Sequence, residues 1–239
     1  KKIIVTGGNG RFAQELKKIK SRYKFIFTNK KQLNILSVKS IKKNFIKFKP
    51  DCILHLAGLS RPMSIHDKEI NKSIDLNIIG TSNLVKICNE NKIKIIFFST
   101  SYLYPGKKGN YTENDPLLPW NNYGWSKLGA ESAVQMYKNS LIIRACMTEK
   151  PFLHKSAFSN VKSNFIFHDN FAKIFIRIIN KKGVINIGGK SQTIYQFAKK
   201  YNKNVKKIKS KGELPLKMDM SLKKIKKYLK LKFIKQKLK

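Results

Sequence analysis

Strand-like and helix-like segments alternate along this chain, and that alternation restricts its fold more than any other feature of the sequence. Short apolar runs suited to buried strands are separated by segments of helical periodicity. Such a pattern is typical of βαβ units, in which helices cover both faces of a parallel sheet. It predicts an α/β protein with a doubly wound parallel sheet. The segments occupy residues 2–6, 11–20, 23–28, 38–48, 51–57, 69–91, 93–99, 122–139 and 140–144.

After residue 144 the periodic signal weakens. A helix at 171–180 and a strand at 184–187 are expected to rejoin the sheet, and two more helices are indicated at 193–201 and 221–229. The pattern predicts two parts. They are a sheet domain of residues 1–145, to which 165–190 return, and a small, shortened C-terminal α/β lobe of residues 146–164 and 191–239.

Positive charge dominates the composition. Lysine and arginine number 51 against 13 acidic residues, a formal net charge of +38, and fifteen lysines fall in residues 201–239. Such charge is typical of proteins that bind nucleic acids or anionic membranes. The lysines nevertheless follow nearly every segment, and arginine, the residue that most often clamps phosphates and reads bases, is rare. We favour a compositional bias without a specific nucleic-acid partner, whose charge attracts a small anionic substrate.

The end of the chain leaves two interpretations open. Its apolar residues are spaced between lysines, which fits either an amphipathic helix on a membrane surface or a cap on the core of the lobe. These residues are Leu222, Ile225, Leu229 and Phe233.

Several features point to a cytoplasmic protein without a bound metal. The chain has no run of ~18 apolar residues, the length of a transmembrane helix. Residues 1–7 lack the apolar region of a secretory signal. The cysteines are odd in number and without paired spacing, as expected of reduced thiols, and the histidines lack ligand spacing. These residues are Cys52, Cys88, Cys146, His55, His66, His154 and His168.

A glycine-rich turn, Gly7-Gly8-Asn9-Gly10-Arg11-Phe12-Ala13, comes directly after the first strand and opens the first helix. At that position glycines let backbone N–H groups approach a pyrophosphate, and a small residue such as Ala13 permits close packing of helix and strand. A plain tight turn is the alternative. The position of the motif favours a dinucleotide-binding site.

The end of the second strand bears on the choice of cofactor. A domain selective for NAD places Asp or Glu there, on the adenosine ribose. This chain has Thr28-Asn29-Lys30-Lys31, so no carboxylate repels a 2′-phosphate and two lysines can attract one. The sequence predicts NADPH, or tolerance of both cofactors.

A tyrosine and a lysine are spaced for proton transfer. Tyr123 and Lys127 share one helix face, and a nearby ammonium is expected to lower the pKa of the phenol. The same spacing recurs by chance in this Lys-rich chain. Tyr123 stands out because the hydroxyl-rich strand end Ser99-Thr100-Ser101 precedes it and emerges at the same sheet edge as the glycine turn. This group is predicted to act on a carbonyl or alcohol.

Several segments match one family in order and spacing. They are 6–10, 55–58, 77–84, 99–104, 111–116 and 123–131, and the resemblance they carry covers residues 2–145. On these segments the chain resembles the extended short-chain dehydrogenase/reductases, the NAD-dependent sugar-nucleotide epimerase/dehydratase family. Residues 183–189 and 214–221 faintly resemble the C-terminal lobe of dTDP-4-dehydrorhamnose reductases. The resemblance implies a Rossmann-type sheet with a small C-terminal α/β substrate lobe.

The resemblance also implies roles for individual residues. Tyr123 would be the catalytic acid or base, Lys127 would bind the nicotinamide ribose, and Thr100 would hydrogen-bond the substrate oxygen. Asn77 and Thr81 would either pack their helix or assist catalysis. The expected cofactor-binding residues are Gly7, Gly10, Arg11, Phe12, Ala13, Asn29, Lys30, Asn34, Ile35, Leu56, Ala57 and Gly58, with Tyr123 and Lys127. The expected substrate-binding residues are Arg61, Thr100, Ser101, Tyr102 and Arg144, with Lys155 as a further cation for a diphosphate.

The residues after Thr100 bear on the reaction. Dehydratases of the family usually have Asp-Glu there, whereas this chain has Ser101-Tyr102, and the aromatic residue is closer to the reductases. We expect NAD(P)-dependent reduction of a 4-keto nucleotide sugar in surface-polysaccharide sugar biosynthesis. A nucleotide-sugar 4-epimerase and a non-catalytic NAD(P)-binding scaffold with a basic tail are the alternatives, and a homodimer is left open.

Overall fold

Six parallel strands form the central sheet of the structure, a computed structural model that describes residues 1–233. Their order is β10-β5-β4-β3-β1-β2. The direction of winding reverses between β1 and β3, which creates a crevice at the carboxyl ends of these strands. The predicted α/β fold with a doubly wound parallel sheet is confirmed. The strands are β1 Lys2–Thr6, β2 Lys24–Phe27, β3 Cys52–His55, β4 Lys94–Thr100, β5 Ser140–Ala145 and β10 Gly183–Ile187.

Helices cover both faces of the sheet. Successive strand residues point to opposite faces, so Ile3 packs with one helical layer and Ile4 with the other. Burial on both faces explains why the strands are almost entirely apolar. The first layer contains α1 Arg11–Lys17 and α7 His168–Ile178; the second contains α2 Val38–Phe48, α5 Gly80–Glu90 and α6 Asn122–Gln135.

The helix predicted over residues 69–91 is interrupted in the structure. After α3 Ile65–Lys68 come α4 Ile70–Ser73, a π-helical turn at Ile74–Ile79, and α5. Such turns are frequent at functional sites. Here Asn77 lies within the π-helical turn, and its Oδ1 accepts a hydrogen bond from the Leu59 N–H at 2.7 Å. The hydrogen bond of Asn77 in the π-helical turn therefore connects this helical segment to the loop that follows β3.

The lobe has a small core of its own, which includes Phe152, Val161, Phe167 and Phe197. Two-residue and three-residue strands pair around it, and β12 joins β7 in parallel. The elements of the lobe region are β6 Met147–Thr148, β7 Ser156–Phe158, β8 Lys162–Ser163, β9 Ile166–Phe167, β11 Gln192–Thr193, α8 Ile194–Lys199 and β12 Lys206–Ile208.

The C-terminal helix α9, Lys223–Phe233, packs against the sheet domain and not on the lobe to which residues 191–239 were assigned. Ile225 is buried in the layer that holds α1 and α7, and Leu222 and Leu229 pack around it. The apolar face of α9 therefore packs on the sheet domain. It was expected to lie on a membrane surface or to cap the core of the lobe. The Phe233 side chain and the part of the Lys-rich tail at 234–239 lie outside what the structure describes.

The burial of Ile225 predicts how much α9 contributes to stability. Ile225→Ala should lower the free energy of unfolding by ~2–5 kcal/mol, because it removes buried methyl groups and leaves a cavity. Ile46→Ala is the control, since Ile46 is 74% exposed, and it should change the value by less than ~0.5 kcal/mol. Urea denaturation measures both. Equal stability of Ile225→Ala and the wild type would mean that α9 does not pack on the sheet.

Candidate active site

The carboxyl ends of the strands and the lobe enclose a cavity of about 660 Å³. In the sheet register, Thr6 lies opposite His55 and Thr100 opposite Ala145, which places these strand ends along one edge. Thr100 and Tyr123 line this cavity. The edge of the sheet therefore carries the polar groups, as the positions of the motifs predicted.

Thr100 and Tyr123 are brought together by the ends of two elements. Thr100 ends β4, and its Oγ1 accepts a hydrogen bond from the Tyr102 N–H at 3.2 Å. Tyr123 lies in the first turn of α6, which begins where Asn121 Oδ1 accepts from the Gly124 N–H at 2.8 Å. Thr100 and Tyr123 both line the cavity, and the Thr100 hydroxyl favours the charged form of the Tyr123 phenol. The pair provides two hydroxyl groups for one ligand oxygen.

Burial raises the pKa of the Tyr123 phenol, while the neighbouring Thr100 hydroxyl and the positive charge of Arg61 act in the opposite direction. This result differs from the expectation that Lys127 would lower the pKa of Tyr123. Loss of hydration disfavours the phenolate more than the neighbouring groups favour it. Tyr123 is therefore held as a neutral phenol, a proton donor.

Lys127 is buried one helical turn after Tyr123. Its Nζ lies 4.0 Å from the centroid of the Phe97 ring, on the α6 side of the sheet. Burial lowers the pKa of Lys127 to about 7, against a smaller opposing effect of Glu131. A partner oxygen that accepts hydrogen bonds from this ammonium, such as a ribose hydroxyl, would stabilise its charged form.

Two aromatic rings flank Tyr123. The ring centroid of His66 lies 5.0 Å away and that of Tyr102 5.9 Å away. His66 Nδ1 is 2.7 Å from the Ser73 hydroxyl, and burial lowers the pKa of this histidine. The sequence analysis considered His66 only as a metal ligand. No motif surrounds it, so its packing against Tyr123 becomes evident only in the folded chain.

A chain of buried hydrogen bonds fixes the loop after β3. The Thr6 hydroxyl accepts from the Leu56 and Ala57 N–H groups, so it donates its own hydrogen to His55 Nδ1 at 2.8 Å. His55 Nε2 then donates to Thr81 Oγ1 at 2.9 Å. Burial lowers the pKa of His55 to about 3, which keeps the ring neutral.

Asn77 ties the π-helical turn to α6 as well as to the loop. Its Nδ2 donates to the Leu59 carbonyl at 2.9 Å and to Ser126 Oγ at 2.8 Å. Thr81 Oγ1 donates to the Asn77 carbonyl at 2.6 Å. These bonds engage both side chains in packing and positioning, the first of the two roles considered for them.

The glycine turn lies beside a second cavity of about 550 Å³. Gly7 has a φ of +67°, and a Cβ there would lie 2.8 Å from the backbone of Ala57. The backbone can approach a ligand closely at this turn because no side chain fits, which suits a dinucleotide. The cavity brings together these residues of the predicted set: Gly7, Gly10, Asn29, Lys30, Asn34, Ile35, Leu56, Ala57 and Gly58.

Five residues of the predicted cofactor set lie elsewhere: Tyr123 and Lys127, described above, and Arg11, Phe12 and Ala13. The Phe12 side chain is in the core, with its ring centroid 4.9 Å from that of Phe98, and Ala13 is fully buried in the helix–strand contact. Only the backbone of Phe12 is available to a ligand. Arg11 lines the larger cavity, not the second one.

Arg144 does not bind substrate in this structure, and that expectation is wrong. Its guanidinium is only 2% exposed. Nη2 donates to Glu131 Oε1 at 2.6 Å, and Nη1 donates to the Tyr104 hydroxyl at 2.8 Å. Strand alternation directs Arg144 toward α6 and away from the cavity. The buried ion pair joins β5 to α6.

The other predicted substrate residues line the larger cavity: Arg61, Ser101, Tyr102 and Lys155. Glu149, which the sequence analysis did not single out, lies among them. Arg61 Nη1 donates to Glu149 Oε1 at 3.0 Å and to Oε2 at 3.1 Å, and Arg11 also donates to this carboxylate. A single glutamate in a segment without a motif carries no signal in the sequence.

None of the helices described within residues 1–233 is long and apolar enough to cross a bilayer. Histidine, cysteine and acidic side chains in the same part of the chain form no group of three or more placed to hold a metal ion.

The sequence profile described as the RmlD substrate binding domain matches residues 1–148. The chain therefore belongs to the RmlD substrate binding domain family. This match confirms the resemblance to the extended short-chain dehydrogenase/reductases.

Individual relatives agree with this assignment. The spore coat polysaccharide biosynthesis protein SpsK of Bacillus subtilis (strain 168) is 33% identical over 147 residues, which are 60% of this chain and 52% of SpsK. Methionine adenosyltransferase 2 subunit beta of Xenopus laevis is 32% identical over 102 residues, 43% of this chain and 30% of that protein. The chain thus spans about half the length of SpsK and less of the subunit.

Among solved structures, a dTDP-4-dehydrorhamnose reductase from Bacillus anthracis str. Ames in complex with NADP aligns with a TM-score of 0.85. The sequences are 20% identical, and the alignment covers 94% of this chain and 90% of that one. The two proteins share a fold over nearly their whole lengths.

The buried position of Lys127 predicts an unusual titration. In the protein without ligand, the Lys127 ammonium should lose its proton with a midpoint of about pH 7, against an ordinary value near 10.5. Between these values the unfolded chain binds more protons at this group, so its effect is to increase stability as pH rises. NMR of 13C-labelled lysine measures the midpoint, and Lys127→Met assigns the signal by removing it. A midpoint above ~9 would contradict the burial of an unpaired ammonium.

Proposed function

We propose that this protein reduces the 4-keto group of a nucleotide sugar with a nicotinamide cofactor, as a dTDP-4-dehydrorhamnose reductase does, in the synthesis of surface-polysaccharide sugars. The observation that carries the proposal is that Thr100 and Tyr123 lie together in the lining of the larger cavity. Beside it lies a second cavity lined by the glycine turn, where the absence of side chains lets a ligand approach the backbone closely. The two cavities together suit a dinucleotide and a carbonyl substrate.

In this reaction the keto oxygen lies between the hydroxyl groups of Thr100 and Tyr123. Thr100 orients the oxygen, and Tyr123 gives it a proton as negative charge develops. The bound nicotinamide would supply a hydride to the carbon. Because burial raises the pKa of Tyr123, the phenol is protonated at neutral pH and suited to donate. Lys127 would hold the ribose of the cofactor.

The residues around Thr100 favour reduction over loss of water. Elimination needs an acid and a base next to the sugar, and Ser101 and Tyr102 supply no carboxyl group. Glu149 is the one acidic residue among the described lining of the larger cavity, and it is bound by Arg61. Arg61 and Lys155 are cations placed to receive the diphosphate of the substrate.

Removal of the Tyr123 hydroxyl tests the reaction. Tyr123→Phe should bind NADPH as the wild type does and lose ~10²–10⁴-fold in turnover, the usual contribution of a positioned acid. Oxidation of NADPH in the presence of a 4-keto nucleotide sugar measures the rate. Full activity of the variant would exclude Tyr123 as the acid. Interconversion of nucleotide sugars without net NADPH oxidation would identify a 4-epimerase instead.

We also propose NADP as the preferred cofactor. Lys30 and Lys31 line the second cavity, and the described residues of that lining include no acidic side chain. Lys30→Glu combined with Lys31→Glu should weaken NADPH binding more than NADH binding, since the new carboxylates repel a 2′-phosphate. Fluorescence titration with both cofactors measures the ratio of the two dissociation constants. An unchanged ratio would mean that these lysines do not select the cofactor.

We further propose a cytoplasmic homodimer. Large apolar side chains are exposed on the adjoining π-helical turn and α6 and directly after that helix, namely Ile74, Ile79, Trp125 and Met136, the last of which is 86% exposed. A second copy would cover this surface through a self-complementary contact. The three cysteines are buried free thiols, as in a reducing compartment.

Light scattering tests the dimer. The wild type should have twice the mass of one chain, and Met136→Lys combined with Ile79→Lys should shift it toward the monomer, because the substitutions bury charge in the contact. Ile46→Lys, on another exposed surface, should leave the mass unchanged. A monomeric wild type at high concentration would exclude this contact.

A non-catalytic function is the second candidate, because one similar protein is named as a subunit of methionine adenosyltransferase 2. In that case the chain would bind the cofactor and act through a partner protein. A wild type that binds NADPH but reduces no 4-keto nucleotide sugar would favour this function. The presence of Thr100, Tyr123 and Lys127 as one group favours the enzyme.

A further inference from the structure

Two of the five arginines in this Lys-rich chain converge on a single carboxylate. Arg11 begins α1, Arg61 follows the loop after β3, and Glu149 follows β6. Both oxygens of Glu149 accept from Arg61 Nη1, at 3.0 and 3.1 Å, and Arg11 Nη1 donates to Oε1. The side chains of Arg11 and Arg61 are 50% and 43% exposed, so a ligand can reach them.

The cluster lies between the two cavities. Gly10 lines the second cavity, and the next residue, Arg11, lines the larger one with Thr100 and Tyr123. A ligand that extends from Lys30 to Tyr123 passes Arg11 on the way. In a dinucleotide, the diphosphate is the group in the middle.

The charges of the cluster do not balance. Two guanidinium groups face one carboxylate. His168 is close to Glu149, but burial lowers the pKa of this histidine, so it adds no charge at neutral pH. Glu15 also lies nearby and is engaged by Lys18 at 2.7 Å. The guanidinium group of arginine binds carboxylates and phosphates through two parallel hydrogen bonds. A diphosphate has more oxygen atoms and more negative charge than one carboxylate, so it can pair with both arginines.

We propose that Arg11 and Arg61 form a diphosphate-binding pair, and that Glu149 occupies the pair until the diphosphate of the ligand displaces it. The inference rests on the proposed function, since the diphosphate belongs to the cofactor or to the nucleotide sugar. Glu149 is then an internal competitor. It holds the two side chains in place before binding, and it disfavours ligands that lack a diphosphate.

Glu149→Gln removes the competing charge while it keeps the size of the side chain. The variant should bind one diphosphate ligand about fivefold more tightly, the equivalent of about 1 kcal/mol for partly exposed ion pairs. One titration uses NADPH alone. The other uses thymidine diphosphate with the protein saturated with NADPH, and the titration that responds identifies the source of the diphosphate.

Two controls separate displacement from a general effect of charge. Glu90→Gln removes the same charge from the exposed ion pair with Lys42, 3.4 Å long and on other helices, and it should leave both affinities unchanged. Adenosine 2′-monophosphate lacks the diphosphate, and its affinity should be equal for Glu149→Gln and the wild type.

The arginines give the reciprocal test. Arg11→Gln or Arg61→Gln should lower the affinity about tenfold for the diphosphate ligand that Glu149→Gln binds more tightly. This is the effect expected for loss of a charge-assisted hydrogen bond. The double variant Arg61→Gln with Glu149→Gln should bind less tightly than Glu149→Gln alone. Calorimetry supplies all of these affinities without turnover.

The outcomes separate the two proposals. The displacement mechanism is wrong if Glu149→Gln changes the affinity for the diphosphate ligands no more than Glu90→Gln does. It is also wrong if Glu149→Gln changes the affinity for adenosine 2′-monophosphate as much as it changes the affinity for the diphosphate ligands. If the predicted affinities are found but no nucleotide sugar is reduced, the inference holds and the proposed reaction is wrong. If the wild type binds neither diphosphate ligand, both are overturned.

Discussion

The close approach of Gly7 to Ala57 is the contact on which the rest of the site depends. A Cβ at Gly7 would lie 2.8 Å from the Ala57 backbone, and one at Gly8 would lie 2.9 Å from Thr28 N. The ends of β1, β2 and β3 can therefore meet only because these residues have no side chain. The Thr6–His55 hydrogen bond holds the same junction from inside. The second cavity borders this junction directly, since Gly7 and Ala57 are part of its lining.

Within this framework, burial and pairing determine what each cation does. Arg144 is paired with Glu131 inside the protein, where removal of one partner would leave a buried charge. Lys127 is buried beside the Phe97 ring with a lowered pKa, and an oxygen that accepts a hydrogen bond from it would favour its charged form. Arg11 and Arg61 share Glu149 at an exposed position, where exchange of one anion for another is inexpensive. Cations of this chain thus occupy three environments: paired in the interior, buried with a lowered pKa, and exposed around a shared carboxylate.

The sequence was sufficient for the fold because its signals are local. Apolar runs, helical periodicity and the glycine turn predicted the doubly wound parallel sheet and the edge that carries Thr100 and Tyr123. Long-range packing was not predictable in the same way. The role of Arg144 depends on which helix covers β5, and the position of α9 depends on a groove between distant segments. His66 and Glu149 lie in segments without a motif, so only the folded chain places them beside Tyr123 and Arg61.

The central claim is that the glycine turn holds the diphosphate of a dinucleotide next to Tyr123. The most direct measurement is the dissociation constant of NADPH for the wild type and for Gly10→Asp, with Asn89→Asp on α5 as a control that adds the same charge elsewhere. We expect the wild type and the control to bind NADPH alike, and Gly10→Asp to fold but not to bind NADPH. Equal binding by Gly10→Asp would contradict the central claim.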